Sequence, residues 1–328
     1  MSGRRPHGVG FTGEVHEGPV ALRVSDLVVL DAASAALLGA SGAGGDGPVI
    51  VEDLPTDRAV AGLLLRPTAQ RVVAFGNGST LDVAKQAAAG LGVACVLVPC
   101  GSEPWRAFAP FTSVYDDAWQ RHSTADPRYG AAQVHLDRSL LERVPAEVRA
   151  LLRADLSVNG VEVLLSAAAS TWDRALAAGG LRLLRHDDPV DDLVAAGFIA
   201  GAFSSCGLGL AHAISSPAGQ LDRRTHDLPN VILGPRVTAG WGDRADWSEV
   251  AAALGTAASA ESVTEALDDL RLAAGAPSTL AAAGFDPDRF DEVAARALRS
   301  SGIPHLPRSV DAAEILQLLA PVPAEVPL

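Results

Sequence analysis

The sequence predicts an α/β domain built on a parallel sheet, followed by an all-α domain. Three observations lead there. Up to about residue 100, short strand patterns alternate with short helix patterns, which is how a parallel sheet with helical crossovers reads. From residue 138 onward, helix pattern follows helix pattern with no alternating β-branched run. The 328 residues are enough for two domains. We set the boundary between residues 137 and 138, giving domains 1–137 and 138–328.

In chain order, PVALRVSDLVVLD (19–31) reads as a strand ending at Asp31. AASAALLGA follows as a short helix, SGAGGDG (41–47) as a turn, and PVIVED (48–53) as a second apolar strand. DRAVAGLLL (57–65) reads as a helix. RVVAFGNGSTLDVAKQAAAGLG (71–92) is strand, glycine turn and helix, and VACVLVP (93–99) is another strand. Helices then occupy 138–180, 186–214, 248–275 and 286–302. The closing PVPAEVPL reads as a tail.

Bulk properties narrow the function. Apolar residues make up 48% of the chain, enough for substantial cores. A net charge of −13 argues against nucleic acid as a partner. No apolar run reaches the roughly eighteen residues of a membrane span. The N-terminus has basic residues but no apolar core of a secretory signal. Three cysteines without CxxC spacing fit thiols in a reducing cytoplasm. Lys85 is the only lysine, placed inside the helix after the glycine turn and read as a surface residue.

Two stretches carry chemistry. In AFGNGSTLDVAK (74–85), glycines follow a strand and open a helix. Such a turn lets backbone amides approach a phosphate, and the helix N-terminus attracts one. It also serves as an ordinary strand–helix connection, and the spacing is neither GxGxxG nor a Walker A loop. Asp31, ending an earlier strand, is placed either to accept hydrogen bonds from a ribose or to cap the following helix. The second stretch, 206–236, holds His212 and His226. On one continuous helix they would stand about 21 Å apart. Pro217 and Gly219 between them predict a helix end near Ser216 and a turn that brings the rings together.

These motifs, in order, resemble one family. GNGSTLDVAK is similar to the GGGSxxDxAK loop of the iron-containing (group III) alcohol dehydrogenases, in the dehydroquinate synthase-like superfamily. VPCGSEPWRAFAPFTSVYDD (98–117) resembles that family's PTTAGTGSE segment and following strand. VHLDRSLLERVPAEV (134–148) resembles its lead into the helical domain. GLGLAHAISSPAGQLDRRTHDLPNVILGP resembles its histidine signature, and residues 284–319 its closing helices. The resemblance covers most of the chain from about residue 20.

The resemblance implies a Rossmann-like dinucleotide-binding domain, a helical domain, and an active site in the cleft. It implies NAD(P)-dependent, metal-assisted hydride transfer between nicotinamide and an alcohol or carbonyl. Cofactor contacts fall on Asp31, Gly76, Asn77, Gly78, Ser79 and Asp82, with Cys100, Gly101 and Ser102 on the nicotinamide side. An acid at Asp31 favours NAD over NADP. The family's histidine pair falls on His212 and His226. Its Asp and His one helical turn apart fall on Glu162 and Ser166, and a further histidine falls on Ser216. Glu162, His212 and His226 would then form a three-ligand set for zinc or iron. Ser166, Ser216, Trp105 and Arg106 become pocket candidates.

The altered ligands, with Trp105 and Arg106, suggest a tailoring enzyme of specialised metabolism with an unusual small-molecule or peptide substrate. Divergent relatives act on phosphonate aldehydes or on peptide termini, including oxidative decarboxylation. A cyclase with tightly held NAD is the alternative, weakened by the shortage of lysines, and a non-catalytic member is a third reading. Family resemblance implies a homodimer.

Overall fold

The computed structural model describes residues 11–39, 47–51 and 55–320. The N-terminal segment read for a secretory signal, most of the 41–47 turn, the end of the 48–53 strand and the closing tail lie outside the described residues. The chain forms two compact units. The first is Met1–Arg149 with His186–Ser205, and the second is Ala150–Arg185 with Cys206–Leu328. The division thus falls later than residue 137, and a helical segment beyond it returns to the first unit. Helix periodicity reports that a face is buried, not which unit buries it.

The first unit runs β1 (Glu14–Glu17), β2 (Asp26–Leu30), α1 (Ala32–Leu38), β3 (Val49–Ile50), α2 (Asp57–Leu64), β4 (Arg71–Gly76), α3 (Gly78–Leu91) and β5 (Ala94–Pro99). A short 3-10 helix (Pro104–Phe108) leads to the antiparallel pair β6 (Phe111–Tyr115) and β7 (Arg121–Ala125). Then come β8 (Gln133–Leu136) and α4 (Arg138–Leu141). Six strands form one sheet in the order β1-β8-β5-β4-β2-β3, with every pairing parallel. Every residue of β4 is buried, as expected of a central parallel strand covered on both faces. The strand read over 19–31 is confined to its last third, where LVVL supplies the buried positions.

The strand order places a reversal between β2 and β4. After β2 the chain steps outward to β3, and after β4 it steps the other way to β5. The carboxyl ends of two such neighbours open the crevice where parallel α/β sheets bind ligands.

The remaining helices are α5 (Ala146–Leu165), α6 (Thr171–Leu183), α7 (Pro189–Cys206), α8 (Leu210–Leu221), α9 (Asp227–Trp241), α10 (Ser248–Leu254), α11 (Ala260–Ala273), α12 (Phe290–Ala297) and α13 (Ala312–Leu319). No single helix among the described residues is long and apolar enough to cross a membrane. In the second unit, α5 and α9 are joined by a buried polar lock. Asn230 Nδ2 donates to Asp155 Oδ1 (2.8 Å) and Asn159 Oδ1 (3.0 Å), and Asn159 Nδ2 donates to Asp155 Oδ2 (3.1 Å).

Helix α8 does not end near Ser216. It continues through Pro217 and Gly219 to Leu221. Pro217 costs the helix one hydrogen bond, but it is buried, and packing on α9 and α12 keeps the turn helical. The reversal comes at 222–226, where Arg223 takes φ 55°. Arg224 N donates to Gly219 O (2.9 Å), and a Cβ on Gly219 would lie 2.9 Å from Arg224 O. Glycine there lets the returning chain pass close.

Asn230→Ala removes the buried donor that Asp155 and Asn159 share across the two helices. We expect a loss of about 3 kcal/mol of unfolding free energy, read by urea denaturation.

Candidate functional site

The glycine loop sits where the sheet reverses. Asn77 follows β4 and caps α3, its Oδ1 accepting from Thr80 N (3.1 Å). Asp31 follows β2 and caps α1, its Oδ1 accepting from Ser34 N (2.7 Å). The second carboxylate oxygen of Asp31 accepts from Asn77 N (2.8 Å) and Thr80 Oγ1 (3.1 Å). The two loops are therefore tied together at the carboxyl ends of β2 and β4. Asp31 is only 2% exposed, so it serves as cap and loop anchor and not as an open ribose acceptor.

The segment after β5 closes over the same loop. Cys100 N donates to Gly76 O (3.1 Å), and Gly78 N donates to Ser102 O (2.9 Å). Gly101 passes so near Asn77 that a Cβ would lie 3.0 Å from its Cα. Ser79 is buried at the start of α3, whose first turn holds no acidic residue. Cys100 belongs to the apolar core around Leu30, Phe75 and Val98. Burial pushes its thiol up to about 12, and Ser34 Oγ lies 3.4 Å from its sulfur. It is a core thiol, not an exposed nicotinamide contact.

Four charged residues beneath this segment form a buried cluster. Asp82 pairs with Lys85 (2.8 Å) and with Arg106 (2.5 Å), and it accepts from Ser113 N (2.9 Å). Arg106 also pairs with Glu103 (3.0 Å). Lys85 Nζ donates to the carbonyls of Arg106 (2.9 Å), Ala109 (3.2 Å) and Phe111 (2.6 Å). Burial drives the Lys85 pKa down, against the attraction of Asp82. Burial opposes the Arg106 charge too, but Glu103 and Asp82 hold its pKa above the ordinary value.

Four sequence expectations change here. Lys85 is fully buried, not a surface residue. Asp82 faces this cluster and not a cofactor. Arg106 is held by two acids and is not free for substrate. Trp105 is 2% exposed, packed edge-on to Phe203 (centroids 5.0 Å) with the Arg106 guanidinium over its ring (4.7 Å). It is core, not pocket wall.

The histidine pair lies in the second unit. His212 is in the first turn of α8, and His226 caps α9. Their rings meet edge to face with centroids 4.8 Å apart, so the chain reversal does bring them together. Ser216 sits one turn after His212, partly exposed. Glu162 does not complete a donor set. Its Oε2 accepts from Gly209 N (2.9 Å) and His212 N (3.4 Å), and its Oε1 accepts from Ala211 N (2.5 Å). Ser166 lies just beyond the end of α5, and its Oγ accepts from Ala168 N (3.2 Å). No three His, Cys, Asp or Glu side chains among the described residues are grouped to hold a metal. The predicted set of Glu162, His212 and His226 is not assembled.

Comparison with known proteins now bears on the geometry. Residues 185–322 match the C-terminal model of the Fe-containing alcohol dehydrogenase family. That part of the chain is similar to the iron-containing alcohol dehydrogenases. It is 28% identical over 301 residues to the probable alcohol dehydrogenase EutG of Salmonella typhimurium, covering 81% of this chain and 76% of that one. It is 29% identical over 183 residues to the 1-propanol dehydrogenase PduQ of the same organism, covering 50% of each. Among solved structures, 1,3-propanediol oxidoreductase superposes with a TM-score of 0.79 at 19% identity, over 96% of this chain and 99% of that one. Sulfoacetaldehyde reductase from Bifidobacterium kashiwanohense, in complex with NAD+, gives 0.76 at 14% identity, over 96% and 98%. Iron-containing alcohol dehydrogenases imply NAD(P) and a metal. The sheet reversal fits the first. The donors around His212 and His226 do not fit the second.

Two outcomes follow. Lys85→Met leaves Asp82 and three carbonyls without their cation, and should lower stability by roughly 3–5 kcal/mol in denaturant titration. Burial pushes the Glu162 carboxyl from 4.5 up to about 7, outweighing the backbone amides that favour its charge. The folded state then holds this proton more tightly than the unfolded one. The stabilisation is full below pH 4.5 and is lost as the pH rises through about 7. Relative to wild type, Glu162→Gln should gain up to roughly 3 kcal/mol between pH 5 and 8. A pH-independent difference between the two proteins would refute this.

Proposed function

We propose that the chain is an alcohol dehydrogenase-type oxidoreductase using NAD(P). It would move a hydride between a nicotinamide and the carbon of a small alcohol or its carbonyl. The observation that carries this reading is the meeting of Asp31 and the Gly76–Ser79 loop at the reversal of the parallel sheet, in a chain whose relatives bear dehydrogenase names. A dinucleotide bound there supplies the hydride donor or acceptor.

The chain's own part is to present the start of α3. Asp31 fixes the Asn77 amide, Asn77 caps the helix, and the Ser102 carbonyl holds Gly78. These bonds set the loop before any ligand arrives, which lowers the ordering cost of binding. Ser79 then stands in the first turn, where a helix N-terminus favours a phosphate. The choice between NAD and NADP is left to the titration, since both oxygens of Asp31 are committed to the loop and to the cap of α1.

The cyclase alternative relies on lysines to bind a phosphorylated substrate. Lys85 is buried among protein acceptors, which disfavours it. Phosphonate aldehydes and modified peptide termini are narrower substrates within the same reaction class.

The test is titration of the purified protein with NADH and NADPH by fluorescence or calorimetry, followed by a panel of short aldehydes and alcohols, the two narrower substrates included. Binding of NADH, and its oxidation by at least one aldehyde, is expected. Ser79→Asp, which sets an anion at the helix start, should weaken binding by roughly tenfold. Failure of wild-type protein to bind either dinucleotide would overturn the proposal in favour of a non-catalytic family member.

A further inference from the structure

We infer that the His212–His226 centre of this chain does not take the metal that iron-containing alcohol dehydrogenases imply, because Glu162 has become the anchor of helix α8. The inference stands apart from the cofactor reading, since every residue it uses lies in the second unit.

The Glu162 carboxylate is already seated on backbone amides. Both Glu162 oxygens point at the backbone, accepting from the amides of Gly209, Ala211 and His212. These are donors at the start of a helix, which have no partner within the helix itself. Turning the carboxylate toward a metal would leave buried amides without acceptors, at about 1–3 kcal/mol each. The seat is also shaped for the group. Gly209 has no Cβ, and one placed there would lie 2.9 Å from both the carboxyl carbon and Oε1 of Glu162. A helix start and an internal acid have been fitted to each other.

Two imidazoles meet edge to face, while a catalytic zinc needs three protein ligands in a converging set. The other two positions that resemble family ligands are serines. A neutral hydroxyl is a poor ligand, and that of Ser166 already accepts from Ala168 N. Beside Ser166 and Glu162 there is a small cavity bounded by Gly209, Trp241 and His305. Neither His212 nor His226 lines it, so it adds no donor to the pair.

The experiment uses the full chain. Purified protein is incubated with excess Zn2+, or with Fe2+ under anaerobic conditions. Free ion is then removed, bound metal is measured by elemental analysis, and a separate calorimetric Zn2+ titration is run. Metal far below one equivalent per chain and no saturable heat are expected. Glu162→Ala should lower Tm by roughly 5–10 °C without changing metal content, since it removes an anchor and not a ligand. If that variant does not fold, Glu162→Gln, which keeps the shape and is not expected to lower Tm near neutral pH, gives the metal-content comparison alone. One equivalent of retained zinc or iron in wild type, lost on changing Glu162, His212 or His226, would overturn the inference. NADH binding is read on the same samples. Its absence counts against the proposed oxidoreductase and leaves the metal result standing.

Discussion

The buried charge cluster of Asp82, Lys85, Arg106 and Glu103 is the constraint on which the first unit depends. Two acids and two bases share a space where any one alone would be costly. Their geometry explains why the chain after β5 goes where it does. Lys85 gathers three carbonyls from 106–111, and Arg106 reaches back to Asp82 on α3. That fixes 100–113 onto the face of α3. Ser102 then meets Gly78, and a Cβ on Gly78 would lie 2.4 Å from Arg106 Cδ. The glycine is required by the protein's own arginine as much as by any ligand. The loop, the helix start and the segment above them hold one another.

The second unit uses the same principle with a single charge. Glu162 is an acid committed to internal structure, seated on the amides that open α8. That seat sets the direction of α8 and so the position of His212. The reversal against Gly219 sets His226 at the start of α9. The rings meet because two backbone features place them there, and no third ligand is needed to draw them together.

Local features were legible in the sequence. LVVL and RVVAF read as strands and form β2 and β4, and the Asn77 and Asp31 caps lie at expected helix starts. What failed depended on partners distant in sequence. A single lysine in a helix reads as solvated until three carbonyls from another segment surround it. Trp105 and Arg106 read as cleft residues because they follow a glycine turn, yet Phe203, 98 residues beyond Trp105, and Asp82 bury them. Pro217 reads as a helix end, since the packing on α9 and α12 that overrides it is tertiary. Resemblance located Glu162 and the histidines but could not say which way the carboxylate faces. That depends on whether buried amides lie within its reach.

The reaction class asks two separate things of a protein of this fold. Hydride transfer asks for a dinucleotide held at the carboxyl ends of a parallel sheet. That requirement is met by strand order and a pre-set loop, and both are present here. Polarising an oxygen through a metal asks for three converging donors, and that requirement is met only by side chains free to turn toward one point. In this chain the acid that would contribute is held by three amides, and the two other ligand positions are serines. The scaffold is tolerant of such changes because strand order does not depend on Glu162, Ser166 or Ser216. The donor set has no such tolerance, since losing one ligand of three removes the centre. In this chain the strand order and the loop at the sheet reversal are kept, while the acid is seated on backbone amides and two positions that resemble family ligands hold serines.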